Sequence, residues 1–109
     1  MPTFQEFQEF DIRVGTVIQA RSHETARKPA YQLEIDFGNF GIKSSSAQLT
    51  ERYDPDTLVG RQVVAVLNFP PRRVADFTSE VLVLGAMVSD EDVVLLQTTE
   101  QVENGTAIG

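Results

Sequence analysis

Two pairs of adjacent basic residues carry the clearest chemical signal in the chain. Arg72 and Arg73 follow two prolines, and Arg27 and Lys28 stand just before a third. Proline fixes its own φ and pushes the preceding residue toward extended backbone, so the double arginine follows a restricted path. An arginine fork matches phosphate or carboxylate geometry, and a pre-ordered loop loses less entropy on binding than a flexible one. The doublets therefore predict contact with an anionic partner.

The remaining residue types leave little room for catalysis. The chain has no cysteine and a single histidine, His23, which excludes disulfides and thiolate metal sites and makes a zinc site unexpected. A nucleophile needs an adjacent base, and only carboxylates and hydroxyls remain. Asp90, Glu91 and Asp92 cannot all face one ion from a tight turn, so we interpret them as a solvated hairpin turn. We expect a protein that is not an enzyme, has no cofactor or metal, and carries His23 on its surface.

The charge is unevenly distributed along the chain. The formal net charge is −7, yet Met1 to Arg73 contains nine bases and nine acids, whereas Val74 to Gly109 contains no base and seven acids. All the excess negative charge therefore follows the double arginine. If the fold keeps those acids farther from the doublets than a Debye length, about 8 Å at physiological salt, a local basic patch can hold phosphate.

Nothing in the sequence indicates a membrane or export segment. No apolar run approaches the roughly 20 residues that a spanning helix needs, and the first ten residues carry acids where a signal peptide carries bases. We expect a cytoplasmic protein without membrane insertion. A length of 109 residues predicts a single domain.

Short apolar runs predict an all-β fold. Residues 31–37 alternate apolar and polar side chains, which is the pattern of a half-buried strand. Residues 11–21 break that alternation at a glycine, which predicts a bulged, coiling first strand. Further strands are predicted over 42–49, 61–69 and 79–88, the second of these buried on both faces.

Two short helices complete the pattern. Thr3 and Glu6 form a capping box before a helix over residues 4 to 9, and Asp54 with Pro55 begins a helix between the third and fourth strands. The order β-β-β-α-β is that of a five-stranded oligonucleotide-binding barrel, the OB-fold. We interpret 1–109 as one OB domain, with residues 1–10 as an N-terminal helical extension and residues 89–109 as a C-terminal β extension.

The OB-fold brings the basic residues into one hypothesis. OB barrels present ligands to the second and third strands, between the first-to-second and fourth-to-fifth loops. Those two loops carry the doublets, and the third strand carries a lysine and three serines. The candidate RNA-binding residues are Arg27, Lys28, Lys43, Ser44, Ser45, Ser46, Arg72 and Arg73. One alternative for the arginines remains: they could pair internally with Asp76 and Glu80. One argument also counts against RNA: Glu34 and Asp36 would repel phosphate if they shared the binding face.

An apolar patch beside the double arginine gives a second hypothesis. Phe69, Val74 and Phe77 flank the loop and could accept an unfolded peptide segment. The phenylalanines are otherwise expected in the core. Asn68 is expected to cap its own turn rather than to contact a ligand.

The chain also resembles a known family. The segments that carry the resemblance are DIRVGTV, ARKPAYQLEIDFG, IKSSSAQLTERY, LVGRQVVAVLNFPPRR, SEVLVLGA and NGTAIG. They are similar to the CsaA-type export chaperones of the tRNA-binding domain family, which includes appended domains of some methionyl- and phenylalanyl-tRNA synthetases. The resemblance runs from about Phe7 to Gly109. It departs from the family pattern at Asp76 and Thr78, where that family tends to have glycine and lysine.

The resemblance implies an OB-fold homodimer that binds the outer corner of tRNA by shape. For the CsaA branch it also implies binding of preprotein segments. Two functions thus stay open: a tRNA-binding module with chaperone activity toward exported preproteins, and a peptide-binding secretion chaperone with little or no RNA binding. The N-terminal phenylalanines and residues 93–96 are the candidate dimer contacts.

Overall fold

A computed structural model describes the whole chain, residues 1–109. Its helices and strands are α1 (Phe4–Phe7), β1 (Ile12–Ser22), β2 (Tyr31–Asp36), β3 (Ile42–Ala47), α2 (Pro55–Leu58), β4 (Gln62–Val66), β5 (Arg72–Val74), β6 (Phe77–Ser79), β7 (Leu82–Val83), β8 (Gly85–Met87) and β9 (Val93–Leu95), with a 3-10 turn at Gly38–Phe40. Five strands pair antiparallel in the order β3-β2-β1-β4-β7. Neither helix is long and apolar enough to cross a membrane.

The sheet curls into a nearly closed barrel, as the OB-fold prediction requires. The amides of Glu80 and Val81 donate to the carbonyl of Ser44 at 2.9 and 3.2 Å, which joins β3 to the chain entering β7. Every second side chain of β2, namely Tyr31, Leu33 and Ile35, points inward. These side chains pack with others such as Val17, Leu58 and Val63 in one buried cluster. The predicted half-buried strand is therefore confirmed.

Strand β1 is long because it belongs to both halves of the barrel. Its first half pairs with β4 and its second half with β2, with a bulge between Val17 and Gln19. The predicted bulge is confirmed, although it lies three residues after Gly15. Gly15 serves a different need: a Cβ there would lie 2.6 Å from the ring of Phe37, so only glycine lets β1 pass this close to the core.

Both helix starts are confirmed in atomic detail. The Thr3 hydroxyl accepts from the amide of Glu6 at 3.1 Å, and the Glu6 carboxylate accepts from the amide of Thr3 at 2.9 Å. The amide of Asp54 donates to the Thr57 hydroxyl at 3.2 Å, and Pro55 occupies the first helical position. Helix α1 is shorter than the predicted residues 4–9.

The chain after β4 differs most from the prediction. The expected strand over 79–88 is divided, because β7 pairs with β4 whereas β8 leaves the barrel and pairs with β9. The basic loop also contains its own two-stranded hairpin, β5–β6. The β8–β9 hairpin confirms the turn predicted at residues 90–92.

Candidate nucleic-acid interface

Both basic doublets line a single groove of about 640 Å³. Arg27, Lys28, Arg72 and Arg73 are exposed, and we call them the basic rim. Twelve of the 19 lining residues are hydrophobic. The buried or half-buried ones among them, which we call the apolar floor, include Leu49, Val74, Val83, Leu84, Val93 and Leu95. The groove therefore combines exposed cations with an apolar surface beneath them.

The β5–β6 hairpin holds the double arginine. In the strand register, Arg72 lies opposite Ser79 and Arg73 lies opposite Thr78. The hairpin turns through Ala75, which adopts a left-handed φ of 53°. Arg73 donates from Nε to the carbonyl of Ala75 and from Nη1 to the hydroxyl of Thr78, both at 3.1 Å. These bonds align one guanidinium along the hairpin without neutralising it.

The two carboxylates that follow the double arginine in the chain, Asp76 and Glu80, are held by other partners. Thr25 donates its hydroxyl to Asp76 at 2.5 Å, and Glu80 accepts from the amide and the hydroxyl of Ser44, each at 3.0 Å. The Thr25 bond, followed by a backbone amide and His23, holds the pKa of Asp76 below its usual value. The basic side chains that contact a carboxylate in the structure are Arg13, Arg52 and His23. Each rim cation is therefore left without a carboxylate partner.

His23 is buried, which corrects the prediction that it lies on the surface. The residue is 3% exposed. Its Nδ1 lies 3.3 Å from the Ser46 hydroxyl and its Nε2 lies 3.3 Å from the Asp76 carboxylate, while the Phe77 ring packs at a centroid distance of 5.5 Å. Burial is tolerated because both ring nitrogens have partners. Those partners are 23 and 53 residues away along the chain, and no local pattern indicates them.

The third-strand residues do not form one exposed set. Ser45 is 1% exposed, so its side chain has no surface for RNA to contact, and the prediction for Ser45 is wrong. The reason is the register: Ser45 pairs with Leu33 and shares its inward face, and Lys43, two residues earlier, shares that face and is half-buried. The Ser44 hydroxyl donates to the carbonyl of Thr78 at 2.7 Å. Only Ser46 of the third-strand candidates lines the groove.

The predicted apolar patch is split between three places. Val74 lines the groove, Phe77 packs on His23, and Phe69 lies in a separate cavity where its ring meets Phe10 edge-on at 5.8 Å. Phe69 therefore belongs with the N-terminal segment and not with the basic hairpin.

Asn68 does not cap its own turn, which corrects that prediction. Its Oδ1 accepts from the amide of Asp11 at 2.9 Å, and its Nδ2 donates to the carbonyl of Glu9 at 2.7 Å. A side-chain amide offers both a donor and an acceptor, and Asn68 uses them to tie the start of β1 to the end of β4.

The sequence did not reveal the wall that β8 and β9 contribute to the groove. Arg52 donates to Asp92 through Nε and Nη2 at 2.9 and 2.8 Å, and this holds the β8–β9 hairpin against the chain before α2. The bond from Arg52 also lowers the pKa of Asp92 below its usual value. Asp90 and Glu91 are exposed as predicted, but Asp92 is paired.

Comparison with known proteins places these features in a family. Residues 12–107 match the family model described as "Putative tRNA binding domain". The chaperone CsaA of Bacillus anthracis is 55% identical with a TM-score of 0.96, over 100% of this chain and 99% of that one. The CsaA chaperone protein of Picrophilus torridus is 44% identical with a TM-score of 0.92, over the full length of both chains.

Relatives of another kind are much longer. The methionine–tRNA ligase of Halobacterium salinarum is 38% identical over 106 residues, which cover 97% of this chain and 15% of the ligase. The shared region is thus a small part of that enzyme. The chain belongs to the tRNA-binding domain family, as a CsaA-type member.

Proposed function

We propose that the groove binds tRNA through the phosphate backbone, in a non-catalytic role. The observation that carries this proposal is the placement of four exposed cations, none paired with a carboxylate, around one groove. No acidic residue lines that groove. Phosphate oxygens fit the guanidinium forks of Arg72 and Arg73, and membership in the tRNA-binding domain family supports RNA as the source of the phosphates.

The groove favours recognition of shape over recognition of bases. No aromatic side chain lines it, so it offers no platform on which an unpaired base could stack. Lysine and arginine contacts to phosphates fix position and carry no direct sequence information. We therefore expect affinity for folded tRNA with little dependence on base identity.

The test is tRNA binding measured over a series of salt concentrations. Four phosphate contacts predict a slope of log K against log salt of about −3, and Arg72→Ala with Arg73→Ala, which leaves two contacts, should reduce it to about −1.5 and weaken binding. Arg21→Gln is the matched control, because Arg21 is exposed, bonds to Gln32 and lies outside the groove lining. An Arg72→Ala, Arg73→Ala variant that binds tRNA as the parent does would eliminate the proposal.

The apolar floor favours a second function for the same groove. Phosphate contacts leave an apolar lining unused, whereas an unfolded or preprotein segment with basic and apolar side chains could bury its apolar groups there. We propose molecular chaperone activity toward such segments alongside tRNA binding. If tRNA does not bind, the alternative is a peptide-binding secretion chaperone.

Exposed apolar residues of the groove lining, outside the floor, separate the two uses. Leu82→Asn and Met87→Gln replace exposed, groove-lining apolar side chains with polar ones of similar size and keep the charge unchanged. Peptide binding should weaken in both variants, whereas the salt slope for tRNA should stay as in the parent. If basic apolar peptides fail to bind the parent at micromolar concentrations, the chaperone proposal is wrong.

We also propose that the chain acts as a cytoplasmic homodimer, with the N-terminal extension, residues 1–10, in the interface. Phe4, Phe7 and Phe10 are all exposed, and an exposed aromatic cluster on a small domain is a surface suited to burial. The second predicted contact, residues 93–96, is less suited because Leu95 already packs in the barrel core. Sedimentation of Phe4→Ser, Phe7→Ser should show monomers; an unchanged mass would exclude this interface.

A further inference from the structure

One buried side chain joins the two loops that carry the basic rim. His23 begins the loop after β1, and its ring spans the gap between Ser46 on β3 and Asp76 in the β5–β6 turn, at 3.3 Å on each side. Thr25, from the same loop, donates to the same carboxylate oxygen. The Phe77 ring covers the imidazole. The loop and the hairpin therefore meet through Asp76.

A carboxylate can only accept, so Nε2 of His23 is the donor to Asp76, and Nδ1 lies 3.3 Å from the hydroxyl of Ser46. The side chain of His23 is enclosed whereas that of Asp76 is mostly exposed. The carboxylate thus lies at the surface, three residues from Arg73 in the chain, while its bond to His23 reaches into the interior.

We propose that His23 and Asp76 are positioning residues, whose bond holds the loop of Arg27 and Lys28 at a fixed place relative to the hairpin of Arg72 and Arg73. This inference rests on the proposed function, because the geometry it maintains is that of the tRNA-binding groove. The positioning role explains why Asp76 is present, although charge alone would favour no acid near a phosphate-binding site. A carboxylate beside a phosphate site repels phosphate, so Asp76 favours binding only through the order it imposes.

The proposal and electrostatics alone make opposite predictions for Asp76→Ala. Asp76→Asn and Asp76→Ala remove the same charge, but asparagine keeps an oxygen that can accept from His23, whereas alanine does not. Charge alone predicts that both variants bind tRNA more tightly. The proposal predicts that Asp76→Asn binds at least as tightly as the parent. Asp76→Ala should bind about fivefold to tenfold more weakly, because ordering the loops then opposes binding.

Substitutions at the other end of the bond control for effects on the turn itself. Glutamine places an amide donor near the position of Nε2, so His23→Gln should retain near-parental tRNA affinity. His23→Phe fills the site without a donor and should weaken binding as Asp76→Ala does. Glu91→Gln supplies a charge control, since Glu91 shares a small cavity with Lys28 and has no bond to the loop. It should tighten binding slightly.

Hydrogen exchange tests the bonds from the loop to Asp76 without RNA. The amide of His23 donates to Ala30 and the amide of Ala26 donates to His23, at 2.9 and 3.2 Å. Asp76→Ala, which changes only the hairpin, should speed exchange at these two loop amides several-fold, and Asp76→Asn should not. Unchanged exchange in Asp76→Ala would overturn the proposal whatever the RNA result.

The two kinds of failure are distinguishable. If the parent does not bind tRNA, the proposed function fails, and with it the role of the bond in that function, while exchange still decides whether the bond joins the loops. If the parent binds tRNA and both Asp76 variants bind more tightly, charge alone accounts for Asp76 and the positioning role is refuted.

Discussion

Gly15→Ala tests the close packing at the centre of the barrel. Gly15 lies where β1 passes over the end of β2, and a Cβ built there would lie 2.6 Å from the Phe37 ring and 2.7 Å from the Ile35 side chain. Favourable contact between carbon atoms needs about 3.5–4.0 Å, so one of the neighbours would have to move by about 1 Å. Both neighbours are 0% exposed and packed on all sides.

The expected loss of stability follows from that overlap. Overpacking of a core costs about 1–3 kcal/mol, and the lower entropy of an unfolded chain with alanine in place of glycine offsets about 0.4–1 kcal/mol of it. We expect a net loss of about 1–2 kcal/mol, which for a chain of this length lowers Tm by roughly 5–15 °C. Gly15 does not line the groove, so tRNA binding well below Tm should be unchanged.

The assay is thermal and urea unfolding of the parent, of Gly15→Ala, of Phe37→Leu and of the double variant. Phe37→Leu removes the ring that the new methyl would meet, so Gly15→Ala combined with Phe37→Leu should lose less stability than the sum of the single substitutions. The overlap with Ile35 remains, so Phe37→Leu should remove only part of the destabilisation that Gly15→Ala causes. A parental Tm in Gly15→Ala, or strictly additive losses in the double variant, would refute the packing argument.

Two further predictions concern the connections around the barrel. The folded-state pKa of Asp92 is lowered by Arg52, so this pair stabilises the fold above the unfolded pKa of about 3.9 and stops doing so as pH falls through the folded pKa. Asp92→Asn should therefore lower the urea midpoint at neutral pH, and its difference from the parent should shrink as pH falls below the unfolded pKa; a difference that stays constant with pH would contradict this. Asn68→Ala removes the bonds to Asp11 and Glu9, and should speed hydrogen exchange at the Asp11 amide by releasing the N-terminal segment. Parental exchange there would show that Asn68 is dispensable for this connection.

Features set by local sequence were predictable. The alternation along β2 fixed which side chains enter the core, because strand side chains alternate faces. The capping box at Thr3 and the helix start at Asp54 and Pro55 were visible as short-range patterns, because the residues involved lie within one helical turn. Basic doublets before and after prolines were also visible, and the element order was enough to predict the barrel.

Features set by long-range contacts were not predictable. His23 appears in a polar loop, and its burial depends on Ser46 and Asp76, which only the closed barrel brings near. Ser45 looks like its serine neighbours, and only the register with β2 turns it inward. The division of the fifth strand depends on β9, which competes as a pairing partner and has no signature in residues 79–88.

An acidic chain can present a basic groove because no acid lines the groove and the two carboxylates that follow the double arginine are bound by groups other than the rim cations. Asp76 accepts from Thr25 and His23, and Glu80 accepts from Ser44, so each carboxylate is oriented by a neighbouring strand or loop. Had either acid paired with Arg72 or Arg73, a phosphate would first have to break that pair. The charge that a phosphate meets is therefore local, and the net charge of −7 says little about it. It follows that the salt slope counts contacts at the rim, and that acids outside the groove lining, such as Glu100, can be neutralised without changing that slope.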